Sequence, residues 1–597
     1  DQAREMLGQH MVTKPIFESL FEGYSFANKN AVSASMEVVV EYIQENLAEK
    51  TQDNPKLKRF YRSVKDRVSG IENPSAKQDL IKDIYDNFFK EAFPKVVEQL
   101  GIVYTPVEVV DFIIHSVNDV LRKEFGRTIS DKGVRILDPF TGTGTFITRL
   151  FQSGLIEQKD LHRKYTEELA AFKIVLMAYY VASVNIENAY HDATEDPDDG
   201  IGTKNFTSFE GIVLTDTFQS TEKDKTLMSE IFPENCKRLE KQKKLPITVI
   251  LGNPPYSAKQ KSANDNAANE SYTKLESRIK QTYVKNSLAK NKVALYDSYF
   301  KAYRWSSDRI DEKEGGVIAF VTNGGWLDSD SGSGFRKSIE KEFSSIYVFN
   351  LRGGIRGKSR EEAKKAGQNI FPIMTGITIV LLVKQPNHLG KANIYYYNID
   401  DYLDRGQKLK VISDFESIKE IPFQEIKPNK YGDWINQRSQ SFKTFIPIGS
   451  KVLSNKNKSV FKNNYSRGLG TSRDSWVYNY SENVLRDNIS RAVTFYNEQV
   501  NTYSQRIDKS ISAENLIDRN DKKFKWTSDT INKIKEHKKI DFIPDSIIVS
   551  HYRPFCKQKL YLNRDLVYEY STIASKIFLP PPYPSNCKSS YYNSKPW

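Results

Sequence analysis

A chain of 597 residues in which Lys and Arg (88) outnumber Asp and Glu (75) carries a net charge of +13; it is long enough for several domains, each with its own core, and its basic excess suits a phosphate-rich partner. The cysteines Cys236, Cys556 and Cys587 stand far apart with no CxxC pair, which argues against a disulfide framework or a zinc site and for a reducing cytosol. No signal peptide and no apolar run of membrane-spanning length is present, which argues against a membrane partner.

Residues 1–98 read as a helical segment: Met36, Val39, Val40, Ile43 and Leu47, and later Leu80, Ile81, Ile84, Tyr85, Phe88 and Phe89, recur at helical spacing. No catalytic constellation falls there. A second domain, 99–395, opens on GIVYTPVEVVDFIIHSV from Gly101, where Thr105 is placed to cap a helix that Pro106 begins, with Glu108 in its first turn. VRILDPFTGTGTFITRL, Val134 to Leu150, predicts a short strand ending at Asp138, a glycine-rich turn and a helix from about Thr145. Gly142 and Gly144 let the backbone approach a ligand, and Asp138 can accept hydrogen bonds from an ammonium group. A dinucleotide loop is disfavoured because Ile147 stands where its third glycine would fall. Glu167 and Glu168 precede a long apolar stretch, and GIVLTDTFQ from Gly211 predicts a buried strand ending at Asp216, with Phe218 free to stack on a ring.

ITVILGNPPY, Ile247 to Tyr256, is the most informative stretch. Its aliphatic run suits a strand buried on both faces, stopped by Gly252, so that Asn253, Pro254, Pro255 and Tyr256 leave the strand's carboxyl end, where open α/β sheets place ligands. Two prolines remove two N–H donors and leave carbonyls free to accept. With the Asn253 oxygen as a second acceptor and the Tyr256 ring as a stacking surface, the loop can hold a flat heterocycle bearing an amino group.

The polar stretch Gln260 to Tyr283 predicts a long loop near a nucleic acid. A helix over Ala294–Ile310 and buried strands from Gly315, Ser345 and Gly376 complete a doubly wound α/β sheet. GGIRGKS, Gly353 to Ser359, misses the P-loop spacing because Arg352 occupies the first glycine position. From about 396 tyrosine, lysine and asparagine dominate. Ser454 to Ser481 interleaves basic and aromatic residues, and Leu485, Ile489, Val493, Tyr496, Val500 and Tyr503 line one face of a helix. Residues 396–597 are therefore expected to form a third, α+β domain.

Asn-Pro-Pro-Tyr after a buried strand, with Asp-Pro-Phe-Thr-Gly-Thr-Gly-Thr upstream, resembles the gamma class of DNA adenine-N6 methyltransferases. More narrowly, GNPPYSAKQKSANDNAAN, LYDSYFKAYRWSSDRI and TSRDSWVYNYS resemble the carboxyl-terminal half of Type ISP restriction-modification enzymes, over nearly the whole chain. The resemblance implies a Rossmann-like methyltransferase sheet between a coupler-like segment and a target recognition domain. It implies methyl transfer from S-adenosylmethionine to an adenine flipped out of double-stranded DNA, with Asn253, Pro254, Pro255 and Tyr256 as catalytic residues. Tyr104, Thr105 and Pro106 would lie at the methionine end of the donor, Asp138, Phe140, Thr141, Gly142 and Gly144 in its loop, and Asp216 and Phe218 at its adenine. The position aligned with the ribose acid holds Lys173, and Glu168 is named for that role instead. No metal is implied, and the setting is a prokaryotic cytoplasm. Because only the later parts of a Type ISP polypeptide match, the chain is expected to be the carboxyl-terminal portion of a larger one carrying nuclease and helicase-like domains. The alternative is a DNA-binding specificity module whose methyltransferase fold is inactive.

Overall fold

Uninterrupted aliphatic runs become the central strands of a nine-stranded sheet. The computed structural model describes residues 6–11, 14, 30–46, 105–194, 206–222, 231–255, 272–449, 458–461, 469–506, 513–518, 523–553 and 555–567, and divides into two units, Asp1–Arg438 and Ser439–Trp597.

In the first unit, α1 (Ala31–Asn46) forms where the helical spacing of Met36, Val39 and Val40 predicts it; residues 47–98 lie outside the described residues. Next come α2 (Val107–Phe125), β1 (Ile136–Asp138), α3 (Thr145–Gln152), β2 (Leu169–Lys173), α4 (Leu176–Ala193), β3 (Ile212–Leu214), α5 (Pro233–Lys244) and β4 (Val249–Gly252). Then follow α6 (Thr273–Ile279), α7 (Ser298–Arg309), β5 (Gly316–Asn323), α8 (Ser333–Glu342), β6 (Ser345–Arg352), β7 (Ile377–Lys384), β8 (Asn393–Asn398), α9 (Arg405–Phe415) and β9 (Gln424–Glu425). The strand order is β3-β2-β1-β4-β5-β7-β6-β8-β9. Strands β1 to β5 run parallel, and β7 is inserted antiparallel between β5 and β6.

Because strand side chains alternate between faces, β5 sends Val317, Ala319 and Val321 into one core with α2, α3 and α4, and Ile318 and Phe320 into a second with α6, α7 and α8. Helices on both faces of a largely parallel sheet are the doubly wound architecture expected from the sequence. The order reverses beside β1, whose neighbours are β2 and β4, so the ligand crevice of such a sheet falls at the carboxyl ends of β1 and β4.

Two details differ from the sequence reading. The polar stretch read as a loop up to Tyr283 is helical from Thr273, and it buries Leu275, Ile279 and Tyr283 at intervals of one helical turn. The expected division at 395/396 runs through β8, which pairs with β6 and carries the large sheet onward to β9. Past that point α9 packs on α2, and the buried Lys408 reaches the Leu351 and Ala366 carbonyls at 2.8 and 2.9 Å.

In the second unit, β10 (Tyr478–Asn479), α10 (Glu482–Ser504), α11 (Ser528–Lys535), β11 (Ile547–Arg553) and β12 (Cys556–Tyr561) form an antiparallel sheet of order β10-β12-β11 under α10. All six residues predicted on the apolar face of α10 are buried in this core, together with Phe524, Ile534 and Leu560.

Candidate functional site

The crevice begins with Asp138 at the end of β1. Its Oδ1 accepts from the Phe140 N–H at 3.1 Å, and the Thr141 hydroxyl donates to its backbone carbonyl at 2.9 Å. Burial raises its pKa to about 7, against the opposing pull of these donors and of the Lys173 ammonium. Gly252 makes the arrangement possible: a β-carbon there would stand 2.9 Å from Asp138 Oδ1, at a φ of +154°. Gly144, at φ +89°, starts α3 where a β-carbon would meet Ile186 Cγ1 at 3.1 Å, so helices α3 and α4 close behind the loop. Gly142 is exposed, with open space on its β-carbon side. The loop is tied down by Thr141 N–H to the Phe172 carbonyl at 3.2 Å and by Asn185 Nδ2 to the Thr143 carbonyl at 2.9 Å.

Asp216 lies two residues beyond β3 rather than at its last position. One carboxylate oxygen accepts from the Phe218 N–H at 2.9 Å and the other from the Tyr272 hydroxyl at 2.8 Å, while burial raises the pKa above the usual carboxylate range. Phe218 is buried with its ring 5.7 Å from Phe140 and edge-on to Tyr272 at 5.4 Å. The Thr217 hydroxyl donates to the Pro139 carbonyl, joining this turn to the β1 loop. Tyr272 was missed by the sequence reading, and Lys301 Nζ stands 4.8 Å from its ring centroid and 2.9 Å from Glu276.

Asn253 follows β4. Its Nδ2 donates to the Thr105 hydroxyl at 3.0 Å, and its Oδ1 is buried with no hydrogen-bond partner among the described residues. A buried unsatisfied carbonyl of this kind costs about 1–3 kcal/mol, so the oxygen is poised to accept from a ligand. The bond to Asn253 also corrects the expected cap: Thr105 makes no capping bond, and Pro106 itself holds the N-cap position of α2. Pro254 is buried and Pro255 partly so; Tyr104 and Tyr256 lie outside the described residues.

The structure thus brings Thr105, Asp138, Phe140, Thr141, Asp216, Phe218 and Asn253 to one edge of the sheet. It does not bring Glu168 there. Glu168 precedes β2, at the opposite edge, and its carboxylate is held by Arg163, by Lys164 Nζ at 2.8 Å and by the Gly133 N–H at 2.6 Å. Lys173 instead ends β2 beside Asp138, with burial lowering its pKa to about 8. Among the described residues, no cluster of His, Cys, Asp or Glu could hold a metal ion, and no helix is long and apolar enough to cross a membrane.

The two units differ in charge. Residues 439–597 contain 26 Lys and Arg against 14 Asp and Glu, whereas residues 1–438 contain 62 against 61. The carboxyl-terminal unit therefore carries +12 of the net +13.

Three families match in succession: the coupler domain of Type ISP restriction-modification enzymes at residues 1–76, N-6 DNA methylase at 76–291, and the Type ISP C-terminal specificity domain at 459–579. Among solved structures, the chain is 42% identical to the ATP-dependent Type ISP restriction-modification enzyme LlaBIII bound to DNA, with a TM-score of 0.83 over 96% of this chain and 38% of that one. It is 41% identical to a nuclease-deletion mutant of the Type ISP enzyme LlaGI in complex with a DNA substrate mimic, with a TM-score of 0.80 over 95% of this chain and 45% of that one. A DrdV–DNA complex is 32% identical, with a TM-score of 0.79 over 95% of this chain and 54% of that one. The chain thus spans between 38% and 54% of the length of these three. No curated protein matches.

Proposed function

As a chain assembled from the coupler, N6-methylase and C-terminal specificity domains of the Type ISP restriction-modification enzymes, it is, we propose, the modification and specificity part of such an enzyme, methylating N6 of an adenine at one sequence in double-stranded DNA. The observation that carries this reading is the unpartnered Asn253 Oδ1 at the carboxyl end of β4, in the same crevice as Asp138.

The donor in this reading is S-adenosylmethionine, which supplies an electrophilic sulfonium methyl group. Asp138 would accept from its ammonium group, the open backbone at Gly142 would run alongside it, and Asp216 and Phe218 would hold its adenine. These fit an amino-bearing, cationic ligand. At the ribose, Lys173 offers a donor rather than an acceptor, so the hydroxyls there would accept from the chain instead of donating to it.

For the target, Asn253 Oδ1 and the Pro254 carbonyl would accept the two N–H bonds of the extruded adenine's amino group. These contacts would orient the amino nitrogen and draw its lone pair out of the ring. The Thr105 hydroxyl holds the Asn253 amide in place, and Tyr256 supplies the stacking face. No covalent enzyme intermediate is needed. Residues 1–98 would act as the coupler, the sheet domain from residue 99 would carry the chemistry as far as Arg438, where the first unit ends, and sequence would be read by the basic unit from Ser439. Nuclease and helicase-like domains of the same longer polypeptide would be its partners.

Incubation with tritiated S-adenosylmethionine and mixed DNA, followed by mapping of the labelled base, tests the reading: N6-methyladenine in one sequence context is expected. Tight sequence-specific binding without label would favour an inactive specificity module, a reading that the Lys173 ammonium beside Asp138 supports.

A further inference from the structure

The pairing of β11 with β12 runs as far as Arg553↔Cys556, leaving Phe555 in the two-residue connection at the hairpin tip. Phe555 is fully exposed, and its φ is +63°. Both features are unfavourable for phenylalanine: the ring keeps all its apolar surface in water, and the left-handed backbone strains a residue with a β-carbon.

The tip is braced. The ladder shifts register between His551 and Arg553, a local irregularity that re-aims the end of the hairpin. Tyr478 packs against Tyr552 with ring centroids 4.9 Å apart, and the exposed Tyr480 reaches Cys556 Sγ with its hydroxyl at 3.2 Å. Below the tip His551 pairs with Lys557 and both are exposed, as is Val549 further down the same strand, in a unit whose net charge is +12. A fully exposed ring at the tip of a two-stranded ribbon, with a second exposed ring, Tyr480, beside it and an exposed lysine, Lys557, behind it, matches a stacked, polyanionic ligand.

We infer that Phe555 is a wedge that enters duplex DNA and stacks between adjacent base pairs at the recognised site. The inference rests on the reading of this unit as DNA-recognising and adds a mode of binding to it: specificity drawn from how easily one base step unstacks, at a position where no side chain reads a base edge.

The test uses the full chain and duplexes that the wild-type chain selects from a random-sequence pool. Phe555→Ala should weaken binding at least tenfold and remove any permanganate-reactive, unstacked step that the wild type creates, while S-adenosylmethionine binding and thermal melting stay unchanged. Phe555→Trp should retain binding, and the emission of the added indole should become shielded from acrylamide on saturation with DNA. Wild-type binding and reactivity in Phe555→Ala, or an indole emission in Phe555→Trp that DNA does not alter, would overturn the wedge while leaving the methyltransferase reading intact. A change of oligomeric state in Phe555→Ala with DNA binding preserved would assign the ring to a protein contact and likewise overturn it. A wild-type chain that selects no duplex at all would remove the underlying reading.

Discussion

At the scale of single residues, the site is defined by acceptors that the protein leaves open. Asn253 is the sharpest case: one end of its amide is engaged by Thr105, and the other is buried and unsatisfied. Asn253→Ala should lower the rate of methyl transfer roughly a hundredfold or more, the scale for removing a positioned polar partner at the reacting group. Its affinity for duplex DNA should hold nearly constant, because phosphate contacts elsewhere dominate that term; single-turnover kinetics beside a binding titration separates the two. Asp138 adds a pH dependence. A cationic donor needs the ionised carboxylate, and burial has raised this group to about 7, so affinity for S-adenosylmethionine should improve as pH rises from about 6 to 8. Lys173, the facing cation, loses its own charge above about 8 and stops competing for that carboxylate. The sign for the ligand-free chain is opposite. Since the folded pKa of Asp138 lies above its unfolded value, its stabilising contribution is complete below about 4 and is lost as pH climbs through 7. Calorimetric titration and melting curves over one pH series should move in contrary directions, and parallel movement would refute the assignment.

At the scale of elements, the strands were legible because burial on both faces demands unbroken aliphatic runs, and 249–252, 316–323 and 377–384 show them. The face of α10 was equally plain. Ile489→Ala should therefore destabilise the second unit by about 2–5 kcal/mol, as for other buried aliphatic truncations, and abolish DNA binding while donor binding persists; equal loss of both would show the units to be coupled. What the sequence concealed are bonds between elements far apart in the chain. Nothing local tells Tyr272 from its neighbours, and its bond appears only because the residue capping the start of α6 is carried to Asp216. Thr105 had the pattern of a helix cap, yet its hydroxyl is claimed by a residue 148 positions away. Glu168 sits before its strand rather than after it, a distinction set by where the chain enters the sheet. The helix after residue 272 was misread because lysines and glutamates masked a usable signal, Leu275, Ile279 and Tyr283 at four-residue steps.

For the whole molecule, the proposed reaction requires the sheet unit to accept any adenine site, so the choice of sequence should travel with the other unit. Exchanging residues 439–597 for the corresponding segment of a relative with a different target should transfer that target to the chimera, read by mapping methylated adenines. Retention of the original target would place recognition within residues 1–438. The uneven charge of the two units has a further consequence. A phosphate-binding tail releases condensed counterions when it meets DNA, whereas a neutral sheet releases almost none. The logarithm of DNA affinity should therefore fall steeply with the logarithm of salt concentration while donor affinity stays flat. At low ionic strength the tail should hold the chain loosely on any sequence, free to slide and hop, and confine its search for a site to the contour of the DNA; dwell times of single chains on stretched DNA that shorten with added salt would register that search.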